Sequence, residues 1–262
     1  MKTIVITGST RGIGFALARE FLKRDCRVVI SGRTRAAVEA SLKQLRQDFP
    51  AQQVAGFPCD VSIYEQVQAL WKFAVSEYQK VDIWVNNAGI SNRQASVWEL
   101  EAEEIKAVVE TNILGELYGS KVAMQGFLEQ GGGALYNVEG LGSGGGKSRV
   151  KGLSIYAMSK AGLYHFNRTL AEEVENPAIL VGALQPGMVL TDMVKEQYRD
   201  KPQEWEKVKG ILGVIASPIE EASSWLVEKM LANRKNGMRF AYGGMLRITK
   251  RMLMSRFKNT PA

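Results

Sequence analysis

The sequence predicts an α/β protein: a doubly wound parallel sheet of about seven strands with helices on both faces, formed as a single domain over residues 1–262. Three observations carry that prediction. Short β-branched apolar runs recur along the chain, and segments with apolar residues at helical spacing separate them. The runs are continuously apolar rather than alternating, as strands are when both faces of a sheet are covered. Proline and glycine fall mainly at the joints.

Taken in order, "TIVIT" (3–7) reads as the first strand and "FALAREFLKR" (15–24) as the helix after it. "RVVIS" (27–31) is strand and "AAVEASLKQLRQDF" (36–49) helix. "QVAGF" (53–57), "DIWVNNA" (82–88), "GALYNV" (133–138) and "AILVGAL" (178–184) continue the strands. Helical patterns near 62–78, 101–129 and 155–175 lie between them. Pro50, Pro58, Pro177 and Pro186 sit where elements end. Ser217-Pro218-Ile219-Glu220 has the form of an N-cap, a first-turn proline and a capping-box glutamate, predicting a helix over about 218–232.

Composition removes several function classes. With 45% hydrophobic and 8% aromatic residues the chain is of ordinary globular type. No apolar run is long enough to span a bilayer, and the opening "MKTIVITG" has no signal or transit pattern, so a cytoplasmic protein, or one whose targeting segment has been removed, is expected. Cys26 and Cys59 have no metal-ligand spacing and are expected to be buried thiols; His165 is the single histidine, so no metal site is expected. Of the net charge of +7, five basic residues lie in "RITKRMLMSRFK" (247–258), leaving 29 basic against 27 acidic elsewhere. A nearly neutral body with a basic tail at about 245–262 argues against nucleic acid as a partner.

"TGSTRGIG" (7–14) falls between the first strand and the first helix. Glycines there let the backbone approach a pyrophosphate that the helix N-terminus stabilises, so Gly8, Ser9, Thr10, Arg11, Gly12, Ile13 and Gly14 form a candidate dinucleotide loop. At the end of the second strand an NAD site carries an acid for the ribose 2′-hydroxyl. This chain has "SGRTR", and Arg33, with Arg11 nearby, suits a 2′-phosphate. The expected cofactor is NADP(H).

"SIYAMSK" (154–160) puts Tyr156 four residues ahead of Lys160, on one face of a helix and next to the glycine-rich "EGLGSGGGK". A nearby ammonium favours a phenolate, so Tyr156 is expected to titrate below its ordinary value near 10. Together, "TGSTRGIG", "NNAG" (86–89), "TN" (111–112), Ser143 with Tyr156 and Lys160, and "PGMVLT" (186–191) resemble the short-chain dehydrogenase/reductase family, in order and at family spacing over essentially the whole chain. The resemblance implies a Rossmann-like sheet and a tyrosine that gives a proton to the substrate oxygen while nicotinamide delivers hydride. It implies that Lys160 also binds the nicotinamide ribose, that Ser143 holds the substrate carbonyl, and that Asn112 holds a water-mediated proton relay. Asp60 and Val61 would border the adenine. Asn87, Ala88 and Gly89 would line the cofactor and brace the sheet, and Pro186, Gly187, Val189 and Thr191 would border the carboxamide. The chain departs from the family's serine pair, with Glu139 and Gly140 in its place, so Ser148 stands beside Ser143 as an alternative donor. A Ser143–His165 hydrolase is not favoured, since position 141 is leucine where G-x-S-x-G needs glycine.

"YNVEGLGSGGGK", "PGMVLTDM" and "MRFAYGGMLRITKRMLMSRFK" look like the chlorophyll(ide) b reductase branch. That likeness implies reduction of the C7 formyl group of chlorophyll b or chlorophyllide b to hydroxymethyl; another bulky apolar ketone or aldehyde is the alternative substrate. The stretch from Asp192 to Ser217 is expected to be a helical lid. The basic tail has two readings, an interfacial helix on a membrane or a segment packed on protein. Family members assemble through their long helices, so a homodimer or homotetramer is expected.

Overall fold

The computed structural model describes residues 1–143 and 151–243. The chain runs through β1 (Thr3–Ile6), α1 (Gly12–Leu22), β2 (Arg27–Gly32), α2 (Arg35–Asp48), β3 (Val54–Pro58), α3 (Tyr64–Tyr78) and β4 (Ile83–Asn86). A longer crossover, α4 (Ala102–Val109) and α5 (Gly115–Gln130), leads to β5 (Gly133–Val138). There follow α6 (Ser154–Glu172), β6 (Ile179–Gln185), α7 (Asp192–Glu196), α8 (Pro202–Ile215), α9 (Ile219–Ala232) and β7 (Met238–Ala241). The strands form one sheet in the order β3-β2-β1-β4-β5-β6-β7, parallel at every pairing. The doubly wound α/β architecture is as expected.

Successive strand residues serve opposite faces, which explains the unbroken apolar runs. Ile4 and Ile6 pack with Leu17, Phe21 and Leu226 under α1, α2 and α9. Val5, Trp84, Leu135 and Val181 pack beneath α3, α5 and α6. Cys26 and Cys59 are free and buried. On the second face Gly126 of α5 backs directly onto Trp71; a Cβ there would lie 1.9 Å from the indole. Half-buried Trp71 is itself packed tilted against Trp84 and edge-on against Phe127, at 5.9 and 5.4 Å between ring centroids, which blocks its retreat on those sides. Gly126→Ala is therefore expected to destabilise the protein by about 1–3 kcal/mol, measured by urea denaturation.

Three local features differ from the sequence expectation. The single helix expected over 101–129 is broken at Glu110–Leu114 by a π-turn, which places Asn112 inward. The helix expected over about 218–232 is present as Ile219–Ala232, but its cap differs: Pro218 is the extended residue before it (φ −53°, ψ 135°), and no side chain caps it. Ser217 instead donates its backbone N–H to the Met188 carbonyl at 2.7 Å, tying the far end of the α7–α8 segment back to the loop after β6. His165, the single histidine, is exposed on α6. β7 had no place in the sequence pattern because its residues alternate between half-buried and exposed. None of the described helices is long and apolar enough to cross a membrane. The basic tail and Ser148 lie outside the described residues.

Candidate active site

The strand order reverses beside β1, where β2 and β4 leave it in opposite directions. In open parallel sheets the crevice at the carboxyl ends of such a pair is where ligands bind. The glycine loop occupies that point. Gly8 and Gly12 both have positive φ, 60° and 59°. A Cβ on Gly8 would meet the Ala88 backbone at 2.7 Å, and one on Gly14 would meet Asn87 Nδ2 at 2.4 Å and the Gly8 carbonyl at 2.7 Å. Gly12 is different: its Cβ direction is open, with Thr191 the nearest group at 3.9 Å. The loop is thus packed tightly beneath and open above, a cradle between the start of α1 and Thr191.

Asn87 fixes this loop by donating Nδ2 to the carbonyls of Thr7 (2.9 Å) and Gly8 (3.0 Å), and Ala88 N–H donates to Thr7 Oγ1 at 3.1 Å. Ser9 turns inward: it donates to the Ile6 carbonyl and accepts from Ser31 N–H, so its side chain joins β1 to β2. Thr10 packs on Gly32, and half-buried Ile13 packs into the core. Arg11 and Arg33 are exposed, and their side chains form no hydrogen bond or ion pair with the described residues. Asp60 accepts from both Ser62 N–H and hydroxyl, and Val61 is buried against Gly115. Across the crevice, Pro186 and Val189 are buried, and Gly187 takes φ 76°, where a side chain would strike the Tyr242 carbonyl.

The second half of the site is carried by α6. Its N-terminus has no local cap; Asn92, fully buried and far away in sequence, accepts from Tyr156 N–H at 3.1 Å and donates to the Gly152 carbonyl. Sequence reasoning missed Asn92, whose only signal is an uncharged polar residue shortly after "NNAG". Asn112 exchanges two hydrogen bonds with the Ile90 backbone and donates to Ser159 Oγ at 3.0 Å, so the π-turn ties the loop after β4 to α6. Lys160 is 5% exposed and donates to the Val138 carbonyl at 2.9 Å. Gly89 lies between its ammonium and Asn112.

One sequence expectation changes here. Tyr156 is pushed up to about 12, by burial, rather than drawn down by Lys160. The lysine ammonium is engaged with Val138, so the phenol is kept protonated through the neutral range. Ser143 is brought to α6, but its hydroxyl donates to the Lys160 carbonyl at 3.1 Å and accepts from Gly140 N–H. The group lying against the phenol is Gly140, where a Cβ would come within 2.3 Å of the Tyr156 hydroxyl.

Residues 2–202 match the family model of the short chain dehydrogenases. The chain belongs to the short chain dehydrogenase family. Among this short chain dehydrogenase's relatives is the chlorophyll(ide) b reductase NOL of Arabidopsis thaliana, 35% identical over 240 residues, covering 89% of this chain and 66% of that one. Another is the 3-oxoacyl-[acyl-carrier-protein] reductase FabG of Chlamydia trachomatis, 33% identical over 227 residues, covering 86% of this chain and 88% of that one. The chain spans about half to two thirds of the length of the Arabidopsis chlorophyll(ide) b reductases it matches. A crystal structure of a variant of actinorhodin polyketide ketoreductase with NADPH superposes with TM-score 0.79 at 29% identity, covering 94% of this chain and 97% of that one. This short chain dehydrogenase therefore shares its architecture with oxidoreductases of several substrate classes.

Proposed function

We propose that the protein is an NADPH-dependent carbonyl reductase that converts the C7 formyl group of chlorophyll b or chlorophyllide b to hydroxymethyl. The observation that carries the reductase reading is the buried Tyr156 phenol on the same helix face as Lys160, set against glycine backbone beside an open dinucleotide cradle. The cradle fits the cofactor. Gly12 leaves space for a pyrophosphate, and the unpaired Arg33 and Arg11 supply donors for a 2′-phosphate. Lys160, beside Gly89, is positioned to hold the nicotinamide ribose.

When bound, NADPH supplies the hydride that reduces the carbonyl carbon. Tyr156 gives its hydroxyl proton to the carbonyl oxygen, and burial keeps that proton available at neutral pH. The phenolate that remains shares the α6 face with Lys160. Ser143, or Ser148, would orient the substrate oxygen, and Asn112 would hold the relay that returns a proton.

The pigment assignment rests on the chlorophyll(ide) b reductase relatives and on the Glu139-Gly140 departure, which removes side-chain bulk next to the phenol. A second reading, reduction of a 3-oxoacyl group, is favoured by the fuller coverage of the FabG relative, 88% of its length. Assembly as a homodimer or homotetramer and peripheral membrane contact through the basic tail belong to the same proposal. The deciding experiment is incubation with NADPH and chlorophyll b or chlorophyllide b, followed by chromatography. A 7-hydroxymethyl product supports the assignment; bound NADPH without conversion sinks it and turns attention to acyl and other apolar carbonyls. Arg33→Ala is expected to weaken NADPH binding by about 10- to 100-fold while leaving NADH binding nearly unchanged, measured by fluorescence titration of both nucleotides.

A further inference from the structure

The turn that brings Gly140 against the Tyr156 phenol is held from the far edge of the sheet. Glu139 extends the β5–β6 ladder one residue past the strand, donating its backbone N–H to the Leu184 carbonyl at 2.7 Å. Its side chain is 1% exposed, yet its Oε2 accepts from both Nε and Nη2 of Arg239 on β7, each at 2.8 Å. The other oxygen, Oε1, has no partner among the described residues, so Arg239 is the group that holds the carboxylate. Asn137, Ala183 and Arg239 form one row across β5, β6 and β7. Glu139 lies two residues beyond Asn137 and serves the same face, so the arginine crosses the width of β6 to reach it. Ala183, with a single methyl, leaves that path open. Arg239 is itself fixed on the way: Nη2 donates to Gln185 Oε1 at 2.6 Å, and the guanidinium lies 5.6 Å from the centroid of the Tyr164 ring on α6. Glu116 of α5 is buried to the same degree as Glu139 but forms no ion pair with the described residues.

A buried ion pair is a poor way to add stability, since desolvation offsets its attraction, but both partners must keep their places to satisfy each other. The location of this pair gives that constraint a use. Gly140 follows directly, and a Cβ there would lie 2.3 Å from the Tyr156 hydroxyl, 3.1 Å from Tyr156 Cζ and 3.3 Å from Lys160 Cγ. The same glycine donates its N–H to Ser143 Oγ at 3.3 Å. We propose that Glu139 and Arg239 are positioning residues for Tyr156: their ion pair anchors the turn whose glycine backbone walls one side of the phenol. Neither residue touches the reacting atoms. A loosened turn lets the hydroxyl shift, and the rate of a positioned reaction falls steeply with such displacement. The edge strand β7 thereby acts on the site from two strands away, through one arginine. The effect on turnover rests on the reductase reading above; the effect on the phenol's surroundings does not.

The test is Arg239→Ala in the full chain, with ring-labelled tyrosine followed by NMR and the Tyr156 signal assigned by its loss in Tyr156→Phe. That signal should move, and kcat for carbonyl reduction should fall by about 10-fold while KM and NADPH affinity change by no more than about 3-fold. Glu139→Leu should do the same, whereas Glu139→Gln, which still offers Arg239 an acceptor, should recover most of the turnover. In the Tyr156→Phe background Arg239→Ala should cost nothing further, because the hydroxyl it positions is gone. An unmoved Tyr156 signal overturns the proposal. So does a loss of kcat that persists undiminished without the hydroxyl, the mark of a purely structural role. If Arg239→Ala does not fold, Arg239→Lys keeps the charge beside Glu139 but not the two-donor fork, and an unmoved Tyr156 signal in that variant overturns the proposal equally. If the parent reduces no carbonyl, the reductase reading falls while the NMR signal still decides the anchoring.

Discussion

Replacing Tyr156 with Phe is expected to lower turnover by about 10²- to 10⁴-fold while NADPH binding changes by no more than a few-fold. The substitution removes one oxygen, and that oxygen forms no hydrogen bond with the described residues, so no buried partner is stranded. The ring keeps its place because Asn92 holds the Tyr156 backbone rather than its side chain. Rapid-mixing kinetics with NADPH, alongside nucleotide titration, separates the two effects. Undiminished turnover would remove the proton donor from the reading, whereas loss of both turnover and binding would mark a structural role for the hydroxyl. The parent should keep full proton-donor capacity through the neutral range, because the phenol loses its proton only near 12.

Glu116→Gln is expected to stabilise the fold increasingly as pH rises. The sign follows from linkage. Glu116 titrates near 8 in the folded protein and near 4.3 when unfolded, so between those values the folded state binds the extra proton. Wild-type stability is therefore lost as pH climbs through that window, by on the order of 5 kcal/mol at most. Glutamine carries no such penalty. Urea denaturation at pH 5 and pH 8 should show the variant's advantage growing by a few kcal/mol. Parallel curves for the two proteins would mean that Glu116 is ionised in the folded state at both values.

The elements and the dinucleotide loop were legible because they rest on local pattern. Continuous apolar strands, helical spacing and "TGSTRGIG" each declare themselves within a dozen or so residues, and the Tyr156–Lys160 pair shares a face by spacing alone. What escaped depends on distance through space. Asn92 reaches Tyr156 across 64 residues of sequence, and nothing near either position signals that cap. Glu116 looks like any polar residue on a helix until the sheet closes over it. The lowered tyrosine was a fair inference from spacing, but the Val138 carbonyl engages the ammonium, and burial governs the phenol. Ser217 fitted a capping sequence, yet the bridge between Val189 and Ser217 takes its backbone first.

The sheet order also has a consequence for how the chain is made. β1 can pair with β2 soon after synthesis, since Ile4 aligns with Val28. Its other edge waits for β4, where Ile4 aligns with Ile83, and the brace from Asn87 to Thr7 and Gly8 waits with it. Emerging from the ribosome, the glycine loop thus stays unbraced until the fourth strand arrives. Long-range closures of this kind are slow and leave an unpaired strand edge open in the meantime. During that interval β1 is a natural docking point for a chaperone, and a substitution that delays β4 would lengthen its exposure before it altered the finished fold.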